Sequence, residues 1–107
     1  MEWINKIRES FNTDRVYYTY HAKFEMEDEE FGSILDREVY ETIQTWEVIE
    51  EYLKDRPYPG FLIFGKTNID RPLHIVCSYN EEEKTAIVIT VYQPNPDLWI
   101  DYKKRRK

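Results

Sequence analysis

Cysteine is almost absent from this chain. Cys77 stands alone inside an apolar run, which excludes a disulfide framework and a cysteine-built zinc centre and fits a reducing compartment. Also missing are a continuous apolar segment near the N-terminus and any run long enough to span a bilayer. Neither secretion nor membrane insertion is therefore expected, and the expected location is cytoplasmic. No internal repeat, low-complexity stretch or composition shift marks a boundary, so residues 1–107 are expected to form one domain. Positive charge is scarce in one half only. Residues 1–56 carry seven Lys/Arg against fifteen Asp/Glu, and residues 57–107 carry eight against six, leaving −8 and +2. A strong nucleic-acid binder gains its affinity by neutralising phosphates, so no DNA partner is expected and any RNA contact must use the second half. The acidic run from Glu25 to Glu30 lacks the spacing and central glycine of a calcium loop and reads as a solvated helix face.

What is present is apolar and aromatic: 41% hydrophobic and 16% aromatic residues, nine of them tyrosine, well away from a disordered profile. Trp3, Ile4, Ile7 and Phe11 recur at spacings of three and four, which predicts a short amphipathic helix over residues 2–11. Residues 15–20 are rich in strand formers and predict a short strand or extended lead-in. Helical spacing returns from His21 to Met26, and a further helix, N-capped by Asp36, has Val39, Tyr40 and Ile43 as its buried stripe. Four strand-like runs follow: 46–52, 61–65, 71–79 and 85–92. A turn segment, Asp55 to Gly60, joins the first two, and Gly65 is expected beside His74, leaving room at the imidazole. The order predicts an α+β fold in which N-terminal helices pack on a four-stranded antiparallel sheet.

The run Arg71 to Tyr92 carries the reactive groups. Pairing Tyr79 with Thr85 sets Leu73, Ile75 and Cys77 opposite Val91, Ile89 and Ile87 on an apolar face, and His74 opposite Thr90 with Tyr92 on the diagonal. Parity then separates Cys77 from His74 and leaves the cysteine as inert core. His21 and His74 lack a credible third ligand, so no metal and no cofactor are expected.

Together Tyr20-His21-Ala22, Glu47 to Tyr52, Arg71-Pro72-Leu73-His74-Ile75-Val76, Ile89 to Pro94 and Trp99 resemble the family known as domain of unknown function 4258. The likeness runs from about Thr19 to Trp99. It divides the chain into an N-terminal extension with its helix (1–18), a RelE-like core (19–102) and a basic tail (103–107) expected to be mobile. That family is grouped with the RelE-like toxin superfamily, two helices followed by a four-stranded antiparallel sheet. The resemblance implies metal-independent RNA cleavage, RNA as partner, and an antitoxin-like protein that silences it. One departure stands out: relatives usually carry arginines in the helix after the His-Ala pair, where this chain has Glu25 and the acidic run.

Metal-free RNA cleavage needs a base, an acid and fixed positive charge. His21 and His74 are candidates for acid and base, Tyr92 for a hydrogen bond or proton, and Lys23 and Arg71 for phosphate binding. Each has a structural counterpart: a helix cap for His21, a bond to Thr90 for His74, packing for Tyr92, a turn for Arg71, plain surface for Lys23. On the catalytic reading, His74→Ala abolishes cleavage without unfolding the domain. The alternative is a catalytically inactive relative that works as a protein-interaction module through its leading helix or its acidic half.

Overall fold

The computed structural model describes residues 2–106, with no account of the Glu2 side chain. Three helices, α1 (Glu2–Asn12), α2 (Tyr20–Asp28) and α3 (Asp36–Gln44), cover one face of a sheet built from β1 (Val16–Tyr18), β2 (Glu47–Tyr52), β3 (Gly60–Lys66), β4 (Pro72–Asn80) and β5 (Thr85–Tyr92). A second, two-stranded piece, β6 (Trp99–Ile100) and β7 (Lys104–Arg105), follows. No helix among the described residues is long and apolar enough to cross a membrane.

The main sheet runs β1-β5-β4-β3-β2. β2 to β5 form the expected antiparallel meander, but the sheet is five-stranded and mixed, because β1 pairs in parallel with β5 through Val16↔Ala86 to Tyr18↔Val88. The expectation of a purely antiparallel four-stranded sheet is thereby corrected. The cause is local: Val16, Tyr17 and Tyr18 suit a strand, and the edge of β5 was open to receive them.

The helix-side core takes Ile4, Ile7 and Phe11 from α1, Ala22 and Met26 from α2, and Val39 and Ile43 from α3, against Phe61, Ile63, Leu73, Ile75, Cys77, Val88 and Val91 from the sheet. Tyr40, expected in the α3 stripe, is exposed; Thr42 takes its place inside. The cap of α3 lies one residue earlier than expected, at Leu35, and Glu38 reaches back to accept its N–H at 3.0 Å.

Two β-bulges change which residues share a face. In β5, Val76 pairs with Thr90 and Cys77 with Val88, so Ile89 is an extra residue; in β2, Val48 pairs with Ile63 and Glu50 with Leu62, so Ile49 is extra. The turn also sits one residue tighter, with Asn80 opposite Thr85. Ala86, Val88 and Val91, not Ile87 and Ile89, therefore join Leu73, Ile75 and Cys77 on the helix side, and His74 comes directly opposite Tyr92 rather than Thr90. The β2 bulge likewise sends Val48 to the core and Tyr52 to the far face, where a regular strand keeps both together.

Gly65 pairs with Leu73, and a Cβ there meets the Thr42 carbonyl oxygen at 2.4 Å and its Cγ2 at 2.9 Å. The space is thus kept for α3 and not for the imidazole. Because backbone is the obstacle, Gly65→Ala is expected to destabilise the fold by about 2 kcal/mol, overpacking typically costing about 1–3 kcal/mol. Chemical denaturation measures this, and an unchanged midpoint contradicts the close approach.

Candidate functional site

The far face of the sheet carries the polar constellation. His74 projects there from the middle of the meander, between Phe64 of β3 and Tyr92 of β5. After Pro94 the chain turns back across this face, and Trp99 sets its ring edge-on to the imidazole, 4.5 Å between centroids and 88° between planes. Phe64 and Tyr92 meet the same ring at 6.0 and 5.2 Å. His74 is consequently 0% exposed.

Both ring nitrogens are committed. Nε2 lies 2.5 Å from the Tyr102 carbonyl oxygen and Nδ1 lies 3.0 Å from the Tyr92 hydroxyl. A carbonyl can only accept, so Nε2 carries the proton; Nδ1 is then the acceptor and the Tyr92 O–H donates to it. Burial pushes the Tyr92 phenol up to about 12, which keeps that donor protonated, and desolvation holds the imidazole below its ordinary 6.5 despite the opposing bond to Tyr102. The ring is a neutral connector between β4, β5 and the C-terminal segment.

That segment is held by charge as well. Arg105 donates to Glu50 from Nε at 2.8 Å and from Nη2 at 3.1 Å, and its guanidinium lies 4.6 Å from the Trp99 ring. Glu50, kept below its usual range by the Arg105 hydrogen bonds, also accepts from Tyr52 at 2.5 Å. Lys103 pairs with Glu47 at 3.0 Å. Residues 103–106, expected as part of a mobile tail, are in the described structure partly strand and anchored on β2; Lys107 lies outside the described residues. Asp101 and Tyr102 both have positive φ, at 53° and 63°, and Lys103 N–H donates to the Ile100 carbonyl, so the hairpin closes in a tight turn that aims the Tyr102 carbonyl at His74.

The other sequence-derived residues lie elsewhere. His21 is on α2, 65% exposed, with Nε2 3.3 Å from Glu25 one turn along. Its surroundings and those of His74 are different, one in solvent and one sealed. Lys23 lines a groove with Met26, Ile34 and Asp36, on the helix side of the sheet, whereas His74 faces away from the helices. Arg71 is 14% exposed and held by protein on all three nitrogens: Nε donates to Gln93 at 2.7 Å, Nη1 to the Ser33 carbonyl and both Glu38 oxygens, and Nη2 to the Gly32 carbonyl. Only Tyr92 joins His74.

The acidic run is also not all solvated. Past β1 the edge of β5 is open, and α2 closes it: Glu25 accepts from Val91 N–H at 3.3 Å and Glu29 from Gln93 N–H at 2.8 Å, while Thr19 donates to the bulged Ile89 carbonyl. Glu25 in α2 and Glu29 at its C-cap, four residues apart, meet donors two residues apart on the strand edge. Glu25 therefore has a structural use that an arginine, which has no acceptor, could not supply.

Sequence reasoning missed Glu50, Arg105 and Tyr102. Glu50 was hidden by the bulge at Ile49, and Tyr102 contributes a backbone carbonyl that no side-chain pattern reveals. Among the described residues no three His, Cys, Asp or Glu side chains gather as a metal-ligand set. Cys77 is fully buried, and desolvation pushes its thiol up to about 12, away from the reactive thiolate.

No curated protein and no solved structure is significantly similar to the chain. A family model does match residues 18–93, from the end of β1 to just past β5, leaving out α1 and the β6–β7 hairpin. The chain therefore belongs to the DUF4258 family of domains of unknown function.

Proposed function

We propose that this protein is a non-catalytic protein-interaction module. One observation carries the reading: His74 is 0% exposed with both nitrogens engaged, while His21 stands in solvent on a different element. General acid–base cleavage of RNA requires groups within hydrogen-bond reach of the reacting atoms and a cation to steady the phosphate. Here the imidazole reaches only protein, and Arg71, the most central cation of the predicted set, is spent on four protein partners. The order α2, α3 and the antiparallel meander β2–β5 supports reading that part as a RelE-like core to which α1 and β1 are added.

A second reading, metal-independent endoribonuclease of toxin type, has one observation in its favour. The cover over His74 and Tyr92 is a hairpin of two-residue strands held by ion pairs to β2, and such a cover is removable. Purified protein is incubated with structured and single-stranded RNA, alongside Tyr92→Phe and Glu50→Lys, the latter loosening the Arg105 anchor. The module reading predicts intact RNA in every sample. Cleavage by the wild type that Tyr92→Phe removes, or cleavage that appears only in Glu50→Lys, establishes the second reading instead.

A further inference from the structure

The helix layer leaves much apolar surface uncovered. Ten large apolar side chains are exposed among the described residues, and six of them, Tyr17, Tyr20, Phe24, Phe31, Leu35 and Tyr40, come from residues 17–40. α2 is the reason. Ala22 and Met26 fill the core from one side of this helix, and Tyr20 and Phe24, one turn apart, stand on another with nothing packed over them. Single exposed apolar residues are ordinary, but a clustered aromatic surface of this kind marks a contact site, since tyrosine and phenylalanine bring large area at low entropic cost.

Two grooves cross the same layer. One, of about 500 Å³, runs between β1 and α3 over Phe11, Tyr17, Tyr18 and Tyr40; the other, of about 390 Å³, lies over Met26, Ile34 and Leu35. Both are lined by Lys23 and Asp36, so they meet between α2 and α3. Their rims are acidic. Asp14, Glu27 and Asp36 line them, and Asp28 and Glu30 follow Glu27 along the chain; none of the five forms an ion pair among the described residues, and Lys23 and Arg37 are the cations in the lining.

We infer that this double groove takes a cationic amphipathic helix of a partner protein, with apolar side chains on the aromatic floor and Lys or Arg over the carboxylates. The inference rests on the interaction-module reading and gives it a surface. A helix fits better than a strand because β1, the one strand edge at the groove, is three residues long and offers too short a ladder. A second copy docking through the same patch sets carboxylate against carboxylate. RNA meets the same repulsion from its phosphates.

The test uses the full chain and three probes: a capped peptide of about eighteen residues with leucines at three- and four-residue spacing and lysines elsewhere, its glutamate counterpart, and a single-stranded RNA of similar length. Amide shifts report the place of binding and calorimetry its strength. The lysine peptide is expected to move amides within residues 17–40, to weaken with added salt, and to lose at least about tenfold in affinity in Tyr17→Ala, in the first groove, and in Leu35→Ala, in the second. Both replaced side chains are exposed, and the amide spectrum of each variant reports that it is folded. Binding of the glutamate peptide with equal strength overturns the inference, as do shifts confined to other elements, no binding, an unaltered affinity in both variants, or RNA occupying these amides in place of the peptide. Failure here with RNA left intact removes this groove alone. RNA cleavage under the conditions above removes the module reading whatever the peptide does.

Discussion

Arg71→Ala is expected to lower stability by about 3 kcal/mol, because breaking a buried ion pair leaves an uncompensated charge and costs about 3–5 kcal/mol in well-sealed sites. Glu38, 9% exposed, loses its cation, and the Gly32 and Ser33 carbonyls and Gln93 lose their donor together. For a domain of this size the melting midpoint should fall by roughly 15 °C. Arg71→Lys should recover less than half of this, since an ammonium cannot present the planar set of donors that four differently placed acceptors use. The guanidinium ties the segment before α3 to the start of β4 and to Gln93 beyond β5. A loss below about 1 kcal/mol, the usual worth of an exposed pair, would show that Arg71 is loosely held and free for an outside anion.

His74→Ala is expected to cost about 3 kcal/mol. Truncating a large core side chain typically costs about 2–5 kcal/mol, and the Tyr92 hydroxyl and Tyr102 carbonyl are left without their shared partner beneath Trp99. This replaces the expectation that the same substitution leaves the fold untouched, because the ring is sealed under Trp99. The wild type should also show a pH signature. The folded-state pKa of His74 lies below the ordinary 6.5 because burial disfavours the charged ring. Its contribution to stability is therefore full above 6.5 and is lost progressively as pH falls from there through the folded-state value. His74→Phe removes that part of the slope while filling the space, so a denaturation series between pH 7 and pH 5 should be flatter in the variant than in the wild type.

How much of this was legible in advance follows from which residues carry local signals. The α1 stripe, the buried pair Ala22 and Met26, and the four-strand meander with its last strand at Thr85–Tyr92 are written in periodicity and β-branched runs, and periodicity survives folding. The faces are less legible. A bulge adds one residue and reverses parity beyond it, and nothing in Val48-Ile49-Glu50 or Val88-Ile89-Thr90 announces one. Hence strict alternation places Ile87 and Ile89 in the core and keeps Tyr52 on the face of Val48. The same limit applies to the site. That His74 and Tyr92 lie on one face was recoverable from strand alternation, whereas their burial was not, because the cover comes from Trp99 to Arg105 and is anchored by carboxylates some fifty residues earlier. The acidic run misled for a similar reason: Glu25 and Glu29 look like solvated surface until a strand edge supplies donors.

On the interaction-module reading, the imidazole of His74 is a neutral, sealed link between strands and not a group that handles protons for a substrate. Nitrogen-15 spectroscopy of the imidazoles measures this most directly. The predicted result is a His74 ring with the proton on Nε2 and a bare Nδ1 at neutral pH, still neutral as pH falls past 6.5 and unmoved by added RNA. A ring that is charged at neutral pH, carries its proton on Nδ1, or shifts when RNA is added contradicts it.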